Sequence, residues 1–146
     1  MAAFTDYLEN ALLDHVLRQS AGGPAYARPA SVWVGLFVLP TTDTLTSGGG
    51  NGVGQGEVTS LGGSAYARQQ VTFSAPSSGQ CSNTVDIVFP TAGGTGWSTV
   101  THVAIFDNSG YGTGQALFHG QLATSKTVNN GDTFRFLAGQ LVVGLS

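Results

Sequence analysis

The chain has 146 residues, a net charge of −3 and only 9% charged residues, against about 25% in ordinary soluble domains. That length suits one domain with one core. Its five cations, Arg18, Arg28, Arg68, Lys126 and Arg135, are scattered, which argues against nucleic acid as a partner, since phosphate binding needs a basic stripe. One cysteine, Cys81, excludes an intrachain disulfide. No stretch reads as a signal peptide or membrane span, so a protein made and folded in a cytoplasm is expected.

Residues 6–18 read as the one good helix. Asp6 is placed to cap it, with Glu9 three residues on as in a capping box. Leu8, Leu12 and Val16 fall on one face, with Leu13 and Leu17 beside them. Gly22-Gly23-Pro24 stops it. The helix packs either on its own sheet or on a neighbouring subunit. Residues 1–20 are expected to belong to the same domain as a β-sandwich over 21–146.

After Pro29 the pattern is strands and turns. SVWVGLFVL (31–39) alternates with both faces apolar: Val32, Val34, Leu36 and Val38 on one, Trp33, Phe37 and Leu39 on the other. Such a strand is buried on both sides. The Gly-rich SGGGNGVGQG (47–56) lacks a phosphate-loop lysine and reads as a loop. ARQQVTFSA (67–75) is a strand with Arg68, Gln70 and Thr72 on a polar face. TVDIVF (84–89) turns Val85, Ile87 and Phe89 inward and Asp86 and Val88 outward. Strands are also expected at STVTHVAIFD (98–107) and QALFHGQLA (115–123). DNSGYGTG (107–114) is a turn, and the Asn-Gly of VNNGD (128–132) is a hairpin signal. DTFRFLAGQLVVGL (132–145) supplies the last strand material, broken near Gly139. The expected class is mainly β: an antiparallel, jelly-roll-like β-sandwich with one N-terminal α-helix.

No constellation carries chemistry, and no enzyme is expected. His15 has no His or Glu partner at i+4. His102 and His119 lie on strands that could be neighbours, but a zinc site needs further ligands; no metal and no cofactor are expected. Asp86, Asp107, Glu57 and Asp132 show no paired-carboxylate spacing, and turn duties explain Asp107 and Asp132. No G-x-S-x-G elbow is present. Cys81 lies in a polar loop, SSGQCSN, without a local base.

AYAR occurs twice, in Gly23-Pro24-Ala25-Tyr26-Ala27-Arg28 and in Gly63-Ser64-Ala65-Tyr66-Ala67-Arg68. The first copy runs into Pro29, which favours an extended connector. The second runs into a strand. The flanks do not match, so the echo reads as coincidence, not an internal repeat.

Six stretches in order carry a resemblance: FTDYLENALLDHVL (4–17), SVWVGLFV (31–38), GGSAYARQQVTF (62–73), NTVDIVFPTA (83–92), GWSTVTHVAIFD (96–107) and the terminal GD-F-x-AGQL-V (131–143). Together they resemble a family of small structural proteins of tailed bacteriophages, often labelled tail fibre proteins. Relatives with a β-sandwich fold act as trimeric capsid cement, or decoration, proteins. The chain departs from that pattern in its Gly-rich 41–56 and 111–120. The resemblance implies a virion protein, expected as a homotrimeric cement protein on the outer capsid surface, bound across subunits of the major capsid protein and stabilising the mature head. The alternative is a tail fibre or tail-tip component that binds a host surface glycan. Leu8, Leu12, Val16, Trp33 and Phe37 are the expected assembly contact. Trp97 and Tyr111, near turns, are the expected outward edge for a ligand.

Overall fold

The computed structural model describes residues 3–17, 26–38 and 55–145. The helix stop at 22–24, Leu39 and most of the Gly-rich stretch lie outside these. Nine strands and a single helix are described, and all the strand pairs are antiparallel, which is the expected mainly-β class.

The N-terminus is tied in first. Strand β1 (Ala3–Phe4) pairs with β7 (Ala116–Val128), opposing Phe4 to Phe118. Helix α1 (Asp6–Leu17) follows at once. Its N-cap is Thr5, one residue before the Asp6 expected from the sequence: the Leu8 amide donates to Thr5 Oγ1 at 3.4 Å. Thr5 Oγ1 in turn donates to the Ala116 carbonyl at 2.7 Å, so the cap is fastened to the sheet. Asp6 and Glu9 occupy the first turn, where acids favour the helix dipole. The helix packs on β1 and β7 of its own chain.

The main sheet has the order β1-β7-β6-β2-β3, with β2 (Val32–Phe37), β3 (Gln69–Val71) and β6 (Ser98–Phe106). Two shorter ribbons complete the fold: β4 (Gln80–Ser82) with β9 (Val142–Gly144), and β5 (Ile87–Thr91) with β8 (Thr133–Phe136). Cys81 thus lies in a strand, not a loop. The principal core joins the layers: Val34 and Leu36 of β2 and Val100 and Val103 of β6 share one cluster with Ile87, Phe89, Phe134 and Phe136.

β2 is buried on both faces, as its pattern requires. Val34 and Leu36 enter the principal core, while Phe37 joins a second cluster with Ala104, Phe106 and Ala116. On the second face, Gly35 sits between Trp33 and Phe37 with no room for a side chain unless its neighbours shift. A Cβ on Gly35 would lie 2.9 Å from Glu57 Oε1 and 2.9 Å from the Phe106 ring. Gly35→Ala should therefore destabilise the fold by about 1–3 kcal/mol through overpacking, checked by urea unfolding.

Three local expectations change. Val85 is exposed, because β5 starts only at Ile87 and the inward alternation begins there. Strand 67–75 shrinks to three residues. The Asn-Gly segment does make a turn, with the Asp132 amide donating to the Asn129 carbonyl at 3.0 Å. It makes no hairpin, however: β7 and β8 do not pair, and the turn hands the chain from the main sheet to the β5–β8 ribbon.

Candidate functional site

The most organised polar group is built on the second AYAR copy. From Ser64 to Arg68 the chain alternates in burial: Ser64, Tyr66 and Arg68 point in, Ala65 and Ala67 out. Arg68 is 3% exposed. Its Nε donates to Glu57 Oε1 at 2.7 Å and its Nη2 to Glu57 Oε2 at 2.8 Å, a bidentate pair. Both side chains are fully buried. The remaining amine, Nη1, donates to the carbonyls of Asn108 at 3.0 Å and Thr113 at 2.9 Å. The guanidinium also stacks on Phe106, 3.5 Å from the ring centroid, a favourable cation–π geometry.

Tyr66 completes the group. Its hydroxyl donates to Glu57 Oε1 at 2.9 Å and accepts from the Leu36 amide at 2.9 Å. Burial, then the nearby Glu57 charge, push its pKa well above the usual phenol value. Glu57 is held by backbone pairing beside the end of β2, where the Val58 amide donates to the Leu36 carbonyl at 2.9 Å. Strand β2, the segment 56–58, the segment 64–68 and the 107–114 turn therefore meet at one ion pair. Its polar atoms are spent on one another, so its chemistry is that of a fastener.

The sequence placed Arg68 on an outward polar face with Gln70 and Thr72. Those two are exposed, but Arg68 is not, because the buried parity shifts by one between Arg68 and Val71. The readable signal was Ala65 and Ala67 alternating with Tyr66 and Arg68: small residues outside, large ones inside. The first AYAR copy has no such role; Tyr26 is half-buried and Arg28 exposed.

Of the expected outward edge, Trp97 is buried and Tyr111 is half-buried. Trp97 is 3% exposed. Its Nε1 donates to the Ser64 carbonyl at 2.8 Å, and its ring meets Tyr66 edge-on at 5.5 Å between centroids. Tyr111 is partly buried against the principal core. The enclosed ring of Trp97 leaves no free face for sugar stacking. The expected assembly residues do not gather on one surface either. Leu8 and Phe37 are buried, and Trp33 packs beside the Phe37 cluster. Leu12 is half-buried, whereas Val16 is 73% exposed. The helix turns Leu8 to the sheet, so Val16 joins Leu13 and Leu17 on the outer side, which the sequence placed beside the inner stripe.

His102 and His119 do sit on neighbouring strands, where His119 opposes Ala104 and His102 opposes Gln121. Among the described residues no three His, Cys, Asp or Glu side chains group as a metal set. His119 is buried, and its Nε2 has no hydrogen-bond partner. Burial first, then the neighbouring His102, lower its pKa; a hydrogen bond with the Phe4 backbone opposes this. Burial lowers the pKa of His102 as well. The unfolded chain then binds more protons than the native one below about pH 6.5. Stability should fall as the pH drops through that value and level off below the native pKa. Thermal melts of the parent and His119→Leu test this; the variant should show the shallower pH dependence.

The family model described as Podophage GP4 fiber I protein gp80 matches residues 3–144. No curated protein matches the chain. The matched span takes in the helix, the main sheet, both ribbons and the Glu57–Arg68 fastener. The chain therefore belongs to the podophage GP4 fiber I protein gp80 family, a family of tailed-phage structural proteins.

Proposed function

We propose that this chain is a fibre-type subunit of a tailed-phage tail, acting by assembly and not by catalysis. The observation that carries the reading is the family match over residues 3–144, whose description names a fibre protein. The fold supports it. A rigid β-domain, locked by a buried ion pair, presents a helix with an exposed apolar side. Three copies joined by identical contacts would form a closed, symmetric unit, whose binding gains avidity without any strong single contact.

The capsid-cement reading predicts the same self-association but a different address, on the major capsid protein. Glycan stacking through Trp97 and Tyr111 is left out, since the ring of Trp97 is enclosed. Immunogold labelling of intact virions tests the proposal. Label on the tail is the expected result. Label confined to the head overturns it in favour of cement, and release of the protein by mild heating together with loss of head resistance would then follow.

A further inference from the structure

The outer face of α1 and a groove at the far half of β7 are complementary. At 3.6 residues per turn, Asp6, Glu9, Leu13, Val16 and Leu17 share one face. Leu13, Val16 and Leu17 are 55%, 73% and 71% exposed. Asp6 and Glu9 are exposed as well. This face is thus acidic at its start and apolar at its end.

The groove has a volume of about 780 Å³ and runs between residues 120–128 of β7 and the segments 132–136 and 140–142. Leu122, Phe134 and Val142 give it apolar lining, and Lys126 and Arg135 give it positive charge. Both cations are exposed. Its one acid, Asp132, is engaged in the turn, where Oδ2 accepts from the Asn129 amide at 2.9 Å. Among the described residues, β7 pairs on this half with β6 only, and β8 with β5 only. Two unpaired strand edges therefore flank the groove.

A helix of twelve residues is about 18 Å long, and nine residues of strand span about 30 Å, so the helix fits the groove lengthwise. The chain's own helix is fastened elsewhere, by Thr5 to Ala116 at the opposite end of β7. We infer that the outer face of α1 of one copy docks into the β7–β8 groove of a second copy, Glu9 and Asp6 facing Lys126 and Arg135. The contact is head-to-tail, and such a contact closes into a ring where the rotation between copies allows it. The inference rests on the assembly reading above and names its surfaces.

Charge reversal tests it in the full chain, by light scattering on a sizing column at low ionic strength. Glu9→Lys and Lys126→Glu should each weaken association roughly tenfold, while the double variant returns to the parent level. Val16→Asp should give monomers with an unchanged circular dichroism spectrum. In a Cys81→Ser background, Val16→Cys chains should cross-link to Leu122→Cys chains only when the two are mixed. A monomeric parent, no recovery in the double variant, or Val16→Cys chains that link to each other would each overturn the inference. These outcomes are independent of gold labelling, which alone decides between tail and head.

Discussion

Arg68→Ala should cost about 3–5 kcal/mol of folding stability, because it leaves the Glu57 carboxylate buried without its partner. For a chain of this length that lowers the melting temperature by ~10 °C. The loss has three parts. The carboxylate keeps only the Tyr66 hydroxyl. The Asn108 and Thr113 carbonyls lose their common donor. The Phe106 face loses the stacked guanidinium. Substitution of both partners is expected to be gentler. Glu57→Met with Arg68→Met removes the charges together, and such exchanges are often close to neutral. Urea unfolding of the two single variants and the double variant separates the two effects. A double variant as unstable as the sum of the singles would mean that the carboxylate and guanidinium do not act as a pair. Hydrogen exchange adds a local readout: in Arg68→Ala the amides of 107–115 should exchange faster than those of β5 and β8, since only the former lose their anchor.

Trp97→Ala should destabilise by a similar amount, about 3–5 kcal/mol. Trp97 fills the space between Tyr66, Phe89 and the 92–97 turn; its ring lies edge-on to Tyr66 at 5.5 Å and to Phe89 at 6.3 Å. Removing it opens a cavity in a contact chain that continues from Phe89 to Phe134 and on to Phe136. It also removes one of two donors to the Ser64 carbonyl, leaving the Gly93 amide at 2.9 Å. Trp97→Phe keeps most of the volume and should recover more than half of the loss. Calorimetric melts of the two variants check this. A Trp97→Ala protein that melts like the parent would contradict the core position. The point bears on function, because any loss of surface binding in Trp97→Ala would reflect a loosened core and not a missing sugar platform.

The periodic parts of the fold were legible. The alternation of β2 gave a strand covered on both faces, and the apolar centre of 98–107 gave β6. The 3.6-residue pattern gave α1, and Gly139 marked the break between β8 and β9. What failed was the assignment of a side where burial depends on a partner distant in sequence. Arg68 looks like a surface residue until Glu57 is beside it. Val16 looks like a core residue until Leu8 has taken the sheet-facing side of the helix. The Asn-Gly turn at 130–131 has the local chemistry of a hairpin, but local chemistry does not choose which sheet receives the next strand.

The sequence by itself determined the class and the broad kinship: sparse charge, abundant glycine, one amphipathic helix and short alternating strands define a mainly-β domain, and six ordered motifs point to a tailed-phage structural protein. These signals are local, set by dihedral preferences and side-chain period within a few residues. Only the tertiary structure decided that an arginine is internal, that the tryptophan is a core residue, and that the open face of the helix and the charged groove lie on separate parts of the molecule. Those facts depend on contacts such as Glu57 with Arg68 and Arg68 with Thr113, and on the choice of strand neighbours. A buried charge is tolerated only when its partner arrives with it, and that condition is met in space, where no period along the chain records it.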